Sequence, residues 1–146
     1  MIHSSACQHA LRALIYLAQQ ENGNAPILGR EIAKAAAAPK QSLAKILHGL
    51  RHKGLVKSIK GPGGGYRLAR PASHTRLLDV IEAVDGKLSL DETCILGLDR
   101  CSGSVSCALH PDWKRFREEY YRTVATMTLA DAARTWVEKM DTLDGT

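Results

Sequence analysis

The chain has 146 residues, 45% of them hydrophobic and 24% charged, with four cysteines and a formal net charge of +5. That length suits one domain whose core is large enough to fold without disulfide staples, and the balance of residues excludes intrinsic disorder. No apolar run approaches the roughly 18 residues of a membrane helix, and the opening Met1-Ile2-His3-Ser4-Ser5-Ala6-Cys7 lacks the basic-then-apolar order of a secretory leader, so a cytoplasmic protein is expected.

The predicted elements follow in chain order. Ala10, Leu11, Leu14, Ile15, Leu17 and Ala18 recur at helical spacing, which predicts a helix from about Ser5 to Gln20 capped by Ser4 or Ser5. Asn22-Gly23-Asn24 makes a turn. A shorter helix is expected from Gly29 to about Ala37, stopped by Pro39, and a third from Lys40 to Lys53 with Leu43, Ile46, Leu47 and Leu50 as its apolar stripe. Gly54 is placed to cap that helix in the left-handed conformation. The period then changes to that of strands. Leu55-Val56 to Ile59 and Tyr66-Arg67-Leu68 flank Gly61-Pro62-Gly63-Gly64-Gly65, a hairpin with a long glycine-rich tip. Two helices joined by a tight turn and followed by a hairpin have the layout of a winged helix-turn-helix. Leu77 to Val84 forms another helix, ended by Asp85-Gly86. Residues 86–110 show no clear period, Pro111 opens a long helix carrying Trp113, Phe116, Tyr120, Val124 and Met127, and Thr128-Leu129-Ala130-Asp131 caps a last one to about Met140.

Charge is divided unevenly along this layout. Residues 1–70 carry eleven Lys/Arg against Glu21 and Glu31, a net of +9, whereas residues 71–146 carry nine against thirteen acids, a net of −4. A basic first half suits a polyanionic partner, though a solvated basic surface reads almost the same way. The glycine-rich tip lacks the Gly-Lys-Ser/Thr ending of a nucleotide-binding loop and runs into a strand, so a DNA-binding wing is the better reading. Candidate wing contacts are Lys57, Lys60, Gly63, Gly64, Gly65, Tyr66 and Arg67. Lys40, Gln41, Ser42, Lys45 and His48 lie at the start and along the polar face of the third helix, where side chains reach base edges in a major groove. Lys53, Lys57 and Lys60 suit phosphates, which fix register without reading sequence.

Cys94, Cys101 and Cys107 are spaced C-x6-C-x5-C, with His110 following as C-x2-H. Zinc ribbons and fingers open with cysteines two to four residues apart, which this spacing does not match. Three thiols on an irregular loop with Gly97, Gly103 and serines suit an iron–sulfur cluster, where sulfur ligands meet soft iron. Inert reduced thiols are the blander alternative.

Together these features make the chain resemble the IscR/NsrR-type winged-helix regulators of bacteria, the Rrf2 family. The likeness spans nearly the whole chain: Ala10-Leu11-Arg12-Ala13-Leu14, Lys53-Gly54-Leu55-Val56, Gly61 to Tyr66, Asp79 to Gly86, the cysteine triplet and Thr128 to Asp131. The resemblance implies a homodimeric DNA-binding regulator, with cluster ligation on Cys94, Cys101 and Cys107. In the IscR branch the fourth ligand is a histidine three residues after the last cysteine, the offset of His110. In the NsrR branch it is an aspartate from the partner's first helix, a position that aligns with Gln8, between Cys7 and His9. His110 with a [2Fe–2S] cluster is therefore favoured over Cys7 or His9 in trans with a [4Fe–4S] cluster.

The expected fold is mainly α with a small β-hairpin wing. Residues 1–70 form the winged helix-turn-helix DNA-binding domain, 71–110 a connecting helix and cluster loop, and 111–146 the dimerisation helix and a C-terminal helix. The expected function is transcriptional repression from a palindromic double-stranded DNA operator, controlled by iron–sulfur status, nitric oxide or redox stress. A cluster-free or zinc-bound thiol regulator on the same scaffold is the main alternative. An iron–sulfur electron-transfer protein would need neither the basic half nor the wing. No catalytic order of Ser, His and Asp, paired-carboxylate motif or nucleotide loop is recognisable, so neither an enzyme nor a small-molecule substrate is expected, and a membrane partner is not expected either.

Overall fold

The computed structural model describes residues 2–88, 94–98 and 107–144, with side chains as far as residue 136. Helix α1 (Ser5–Gln19) begins where Ser4, in extended conformation, accepts the Cys7 amide on its Oγ at 3.0 Å. Ala10, Ala13, Leu14 and Leu17 share one face of α1 at helical spacing, and all are buried. A short 3-10 turn (Glu21–Gly23) follows, whose Glu21 carboxylate accepts the Ala72 amide at 3.0 and 3.3 Å.

The helix-turn-helix proper is α2 (Gly29–Ala35) and α3 (Lys40–His52). Helix α2 ends earlier than the proline rule suggests. Ala37 adopts a left-handed φ of 49°, and the Ala37 and Ala38 amides return to the Lys34 and Ala33 carbonyls at 3.1 and 2.9 Å. This is a Schellman turn made by alanine, at a conformational cost of about 1 kcal/mol. Pro39 does not stop α2; it caps the start of α3, where its missing amide costs nothing. At the other end of α3, Gly54 (φ 75°) closes an equivalent turn, with Leu55 donating to the Leu50 carbonyl at 3.0 Å.

Strands β1 (Val56–Ile59) and β2 (Gly65–Leu68) pair antiparallel in the register Val56↔Leu68, Lys57↔Arg67, Ser58↔Tyr66 and Ile59↔Gly65. Ile27 and Tyr66 exchange two backbone hydrogen bonds of 2.8 Å, which dock the hairpin on the segment leading into α2. After a 3-10 turn (Ala72–His74) come α4 (Leu77–Asp85), α5 (His110–Thr126) and α6 (Leu129–Asp144). The architecture is thus the expected winged helix-turn-helix with a mainly helical remainder. No described helix is long and apolar enough to cross a membrane.

Helix α6 folds back onto α1, and α1 also packs against α2, α3 and α4. The main core joins Leu14, Ile32, Leu43, Leu47, Leu50 and Val56 of the winged unit to Val80 and Leu129. A second core joins Cys7, Leu78, Ile81 and Val124, at the meeting of α1, α4 and α5. The junction of α5 and α6 is held to the start of α4 by Leu77 donating to the Met127 carbonyl at 2.9 Å and Leu129 to that of Thr75 at 2.8 Å.

Candidate functional site

Leu43, Leu47 and Leu50 fasten α3 to the core by one face, which leaves Lys40, Gln41, Ser42, Lys45 and His48 exposed on the other. The first turn of α3 holds no acid, so its positive dipole end and Lys40 are available together to an anion. His48 and His52 stand one turn apart with their Nε2 atoms 3.1 Å from each other. In the hairpin, Lys57 and Arg67 sit directly opposite, an arrangement that destabilises a sheet unless an anion answers it. The Arg67 guanidinium turns to the Asn24 side-chain oxygen, 3.3 Å away. Lys57, Lys60 and Gly63 are exposed, and Arg67 is half-buried.

The remaining wing candidates have work inside the fold. Gly64 is buried, and a Cβ there would lie 2.2 Å from the Ile59 carbonyl oxygen. A Cβ on Gly65 would meet the Ile27 oxygen at 2.3 Å. Both glycines therefore allow backbone to pass close to backbone at the base of the tip. Tyr66 is half-buried and packs on the core beside Gly29, its ring 3.7 Å from where a Cβ would stand.

Of the expected metal ligands, Cys94, Cys107 and His110 lie among the described residues and are each half-buried; Cys101 lies outside them. The Gly97 amide returns to the Cys94 carbonyl at 3.0 Å, and that of His110 to the Cys107 carbonyl at 3.2 Å. Cys107 and His110 are thus one turn apart at the entrance to α5. The donor set, soft thiolates with one imidazole, matches what an iron–sulfur cluster takes. Downstream on α5, Trp113, Phe116 and Tyr120 stack in sequence at 5.4 and 6.1 Å between ring centres. Phe116 and Tyr121 are more than 40% exposed, and only Arg117 and Val124 of this helix are buried.

Cys7 faces its own core and is wholly buried, whereas a ligand given to a partner subunit must reach the surface. His9 is half-buried. Burial, and after it the Asp85 carboxylate, pushes the Cys7 thiol up to about 12. Partial burial works against the charge of Asp85, yet hydrogen bonds from Ser4 and Cys7 hold its carboxyl below the usual range. His3, Cys7 and Asp85 bring a nitrogen, a sulfur and an oxygen within 4.8 Å of one another. No spacing rule finds this group, because Asp85 comes from the far end of α4.

A family model described as "Iron-dependent Transcriptional regulator", Rrf2, matches residues 3–135. The chain is 32% identical over 129 residues to the HTH-type transcriptional regulator IscR of Klebsiella pneumoniae, covering 88% of this chain and 77% of that one. Among solved structures it is similar to CymR, the global cysteine regulator of B. subtilis, with a TM-score of 0.74 and 26% identity over 90% of this chain and 95% of CymR. It is also similar to IscR of T. potens, with a TM-score of 0.66 and 25% identity over 90% of this chain and 85% of that one.

Proposed function

Because the chain belongs to the Rrf2 family of transcriptional regulators, we propose that it is a cytoplasmic homodimeric repressor whose binding to a palindromic operator is governed by an iron–sulfur cluster. Cys94, Cys101, Cys107 and His110 would hold the cluster, [2Fe–2S] in preference to [4Fe–4S]. A bound cluster of this kind supplies a centre that iron–sulfur supply, oxidants or nitric oxide can alter. The carrying observation is that one chain joins an exposed basic helix and wing to a segment whose sequence holds three thiols and an imidazole.

The chain's own parts do the rest. Gln41 and Ser42, at the start of α3, are set to read base edges, while Lys40, Lys45, Lys57, Lys60 and Arg67 answer phosphates. The ligand loop joins the end of α4 to the start of α5, and α4 packs on both α1 and α3. A change in the loop therefore bears on the support of the recognition helix and on α5 together. The exposed Phe116 and Tyr121 of α5 suit a seam with a second copy, which would set the distance between two recognition helices.

A visible absorption spectrum of anaerobically purified protein, with iron and sulfide analysis, tests this. Wild type should hold both elements, and Cys101→Ala should lose them while remaining folded; unchanged content in that variant would sink the ligand assignment. Likeness to a cysteine regulator supports a second reading, a thiol switch without a cluster. Protein that carries zinc or no metal at all, yet binds DNA according to its thiol state, would establish it.

A further inference from the structure

We infer that His3, Cys7 and Asp85 form a second metal site, separate from the cysteine loop, that takes a divalent cation of the zinc class. The donors would be His3 Nδ1, Cys7 Sγ and a carboxylate oxygen of Asp85, with solvent completing a tetrahedron. A ring nitrogen of His3, the Cys7 sulfur and a carboxylate oxygen of Asp85 already lie within 4.8 Å of one another, and Nδ1 is 3.9 Å from Asp85 Oδ2. A tetrahedral zinc site places such atoms about 3.3–3.7 Å apart, so a contraction of about 1 Å closes it.

The condition of His3 separates this group from a simple hydrogen-bonded cap. Its Nε2 is bonded to the Tyr120 hydroxyl. Its Nδ1 is buried and has no hydrogen-bond partner among the described residues. That nitrogen stands 3.9 Å from Asp85 Oδ2, within an ion pair's reach but too far for a hydrogen bond. With the proton on Nε2, held by Tyr120, Nδ1 keeps a lone pair for a cation beside Asp85. An outer partner on the far ring nitrogen is how metal-bound histidines are oriented. Asp85 is already fixed by the Ser4 amide at 3.1 Å and by the Ser4 hydroxyl, which leaves acceptor capacity on its oxygens.

The chemistry of the set selects the ion. A thiolate with an imidazole and one carboxylate suits zinc-like cations and is a poor match for magnesium or calcium, which take oxygen ligands. Access is graded as well: Cys7 is fully buried, while the Asp85 side chain is 25% exposed and opens the site to solvent. Binding would exchange the Cys7 thiol proton for the metal.

Cobalt(II) is the probe, because a thiolate bound to it gives a ligand-to-metal charge-transfer band that histidine and carboxylate alone do not. The full chain carrying Cys94→Ser, Cys101→Ser and Cys107→Ser removes every other cysteine, and the His48–His52 pair cannot mimic the band. One equivalent of cobalt should produce the band with tetrahedral visible absorption, and zinc should displace it. Cys7→Ser should abolish the band. His3→Ala and Asp85→Asn should each weaken cobalt binding at least tenfold with circular dichroism unchanged, and they decide the matter if Cys7→Ser does not fold. Absence of the band with Cys7 intact, its survival in Cys7→Ser, or unchanged affinity in His3→Ala would overturn the site and leave a hydrogen-bonded cap.

Discussion

Single residues set the strain of the helix-turn-helix and are expected to set its specificity. Ala37 holds a left-handed conformation in the turn between α2 and α3 that glycine adopts freely. Ala37→Gly should therefore raise stability by about 0.5–1 kcal/mol, the relief of strain exceeding the added freedom of the unfolded chain; denaturant unfolding measures it. On the neighbouring helix, Gln41→Ala should cost about 1–3 kcal/mol on the preferred operator and relax one position per half-site, whereas Lys60→Ala should weaken all sequences alike. Equal losses on operator and random DNA for Gln41→Ala would remove its base contact. The exposed residues of the third helix and the lysines of the hairpin were legible because their pattern is local in sequence. The burial of Gly64 and the roles of Gly65 and Tyr66 were not, since each answers to Ile59 or Ile27 across a turn or a neighbouring segment.

At the scale of elements, local sequence signals foretold every described α-helix, because periodicity and caps act within a few residues. The end of α2 was missed: a proline announces where a helix must stop, and an alanine entering the left-handed region gives no such notice. The start of α6 was foreseen from Thr128 and Asp131, which exchange reciprocal bonds of 2.9 and 3.1 Å. The Thr128 amide and hydroxyl, with Arg134, hold the Asp131 carboxyl below its ordinary 3.8. A lowered carboxyl contributes stability above the unfolded value and loses it as pH falls through the folded one. Asp131→Asn should accordingly lower Tm at neutral pH, and the gap from wild type should close in acid below pH 3.8. A gap that persists unchanged there would mean the cap works without its charge. The cluster of His3, Cys7 and Asp85 was beyond such reasoning, for only the packing of α4 on α1 brings it together.

For the molecule as a whole, the basic winged unit and the exposed Phe116 and Tyr121 of α5 are expected to act as one device. A dimer that covers 6–10 phosphates should lose about 10³–10⁵-fold in operator affinity between 50 and 200 mM salt. Phe116→Glu places a charge on the proposed seam and should yield monomers in sedimentation, with the slope of log affinity against log salt roughly halved. A dimer that survives the change would relocate the seam. The return of α6 onto α1 has a consequence for synthesis. Leu129, Ala133 and Trp136 finish the core that α1 shares with the recognition helix, and they leave the ribosome last among its members. A nascent chain that has already emitted α3 and the wing still carries an open flank along α1, so competence to grip DNA arrives late in translation. A chain truncated before Leu129 is therefore expected to keep the basic residues of α3 and the wing while lacking the last part of the core beneath them, and to lose its DNA affinity with its fold.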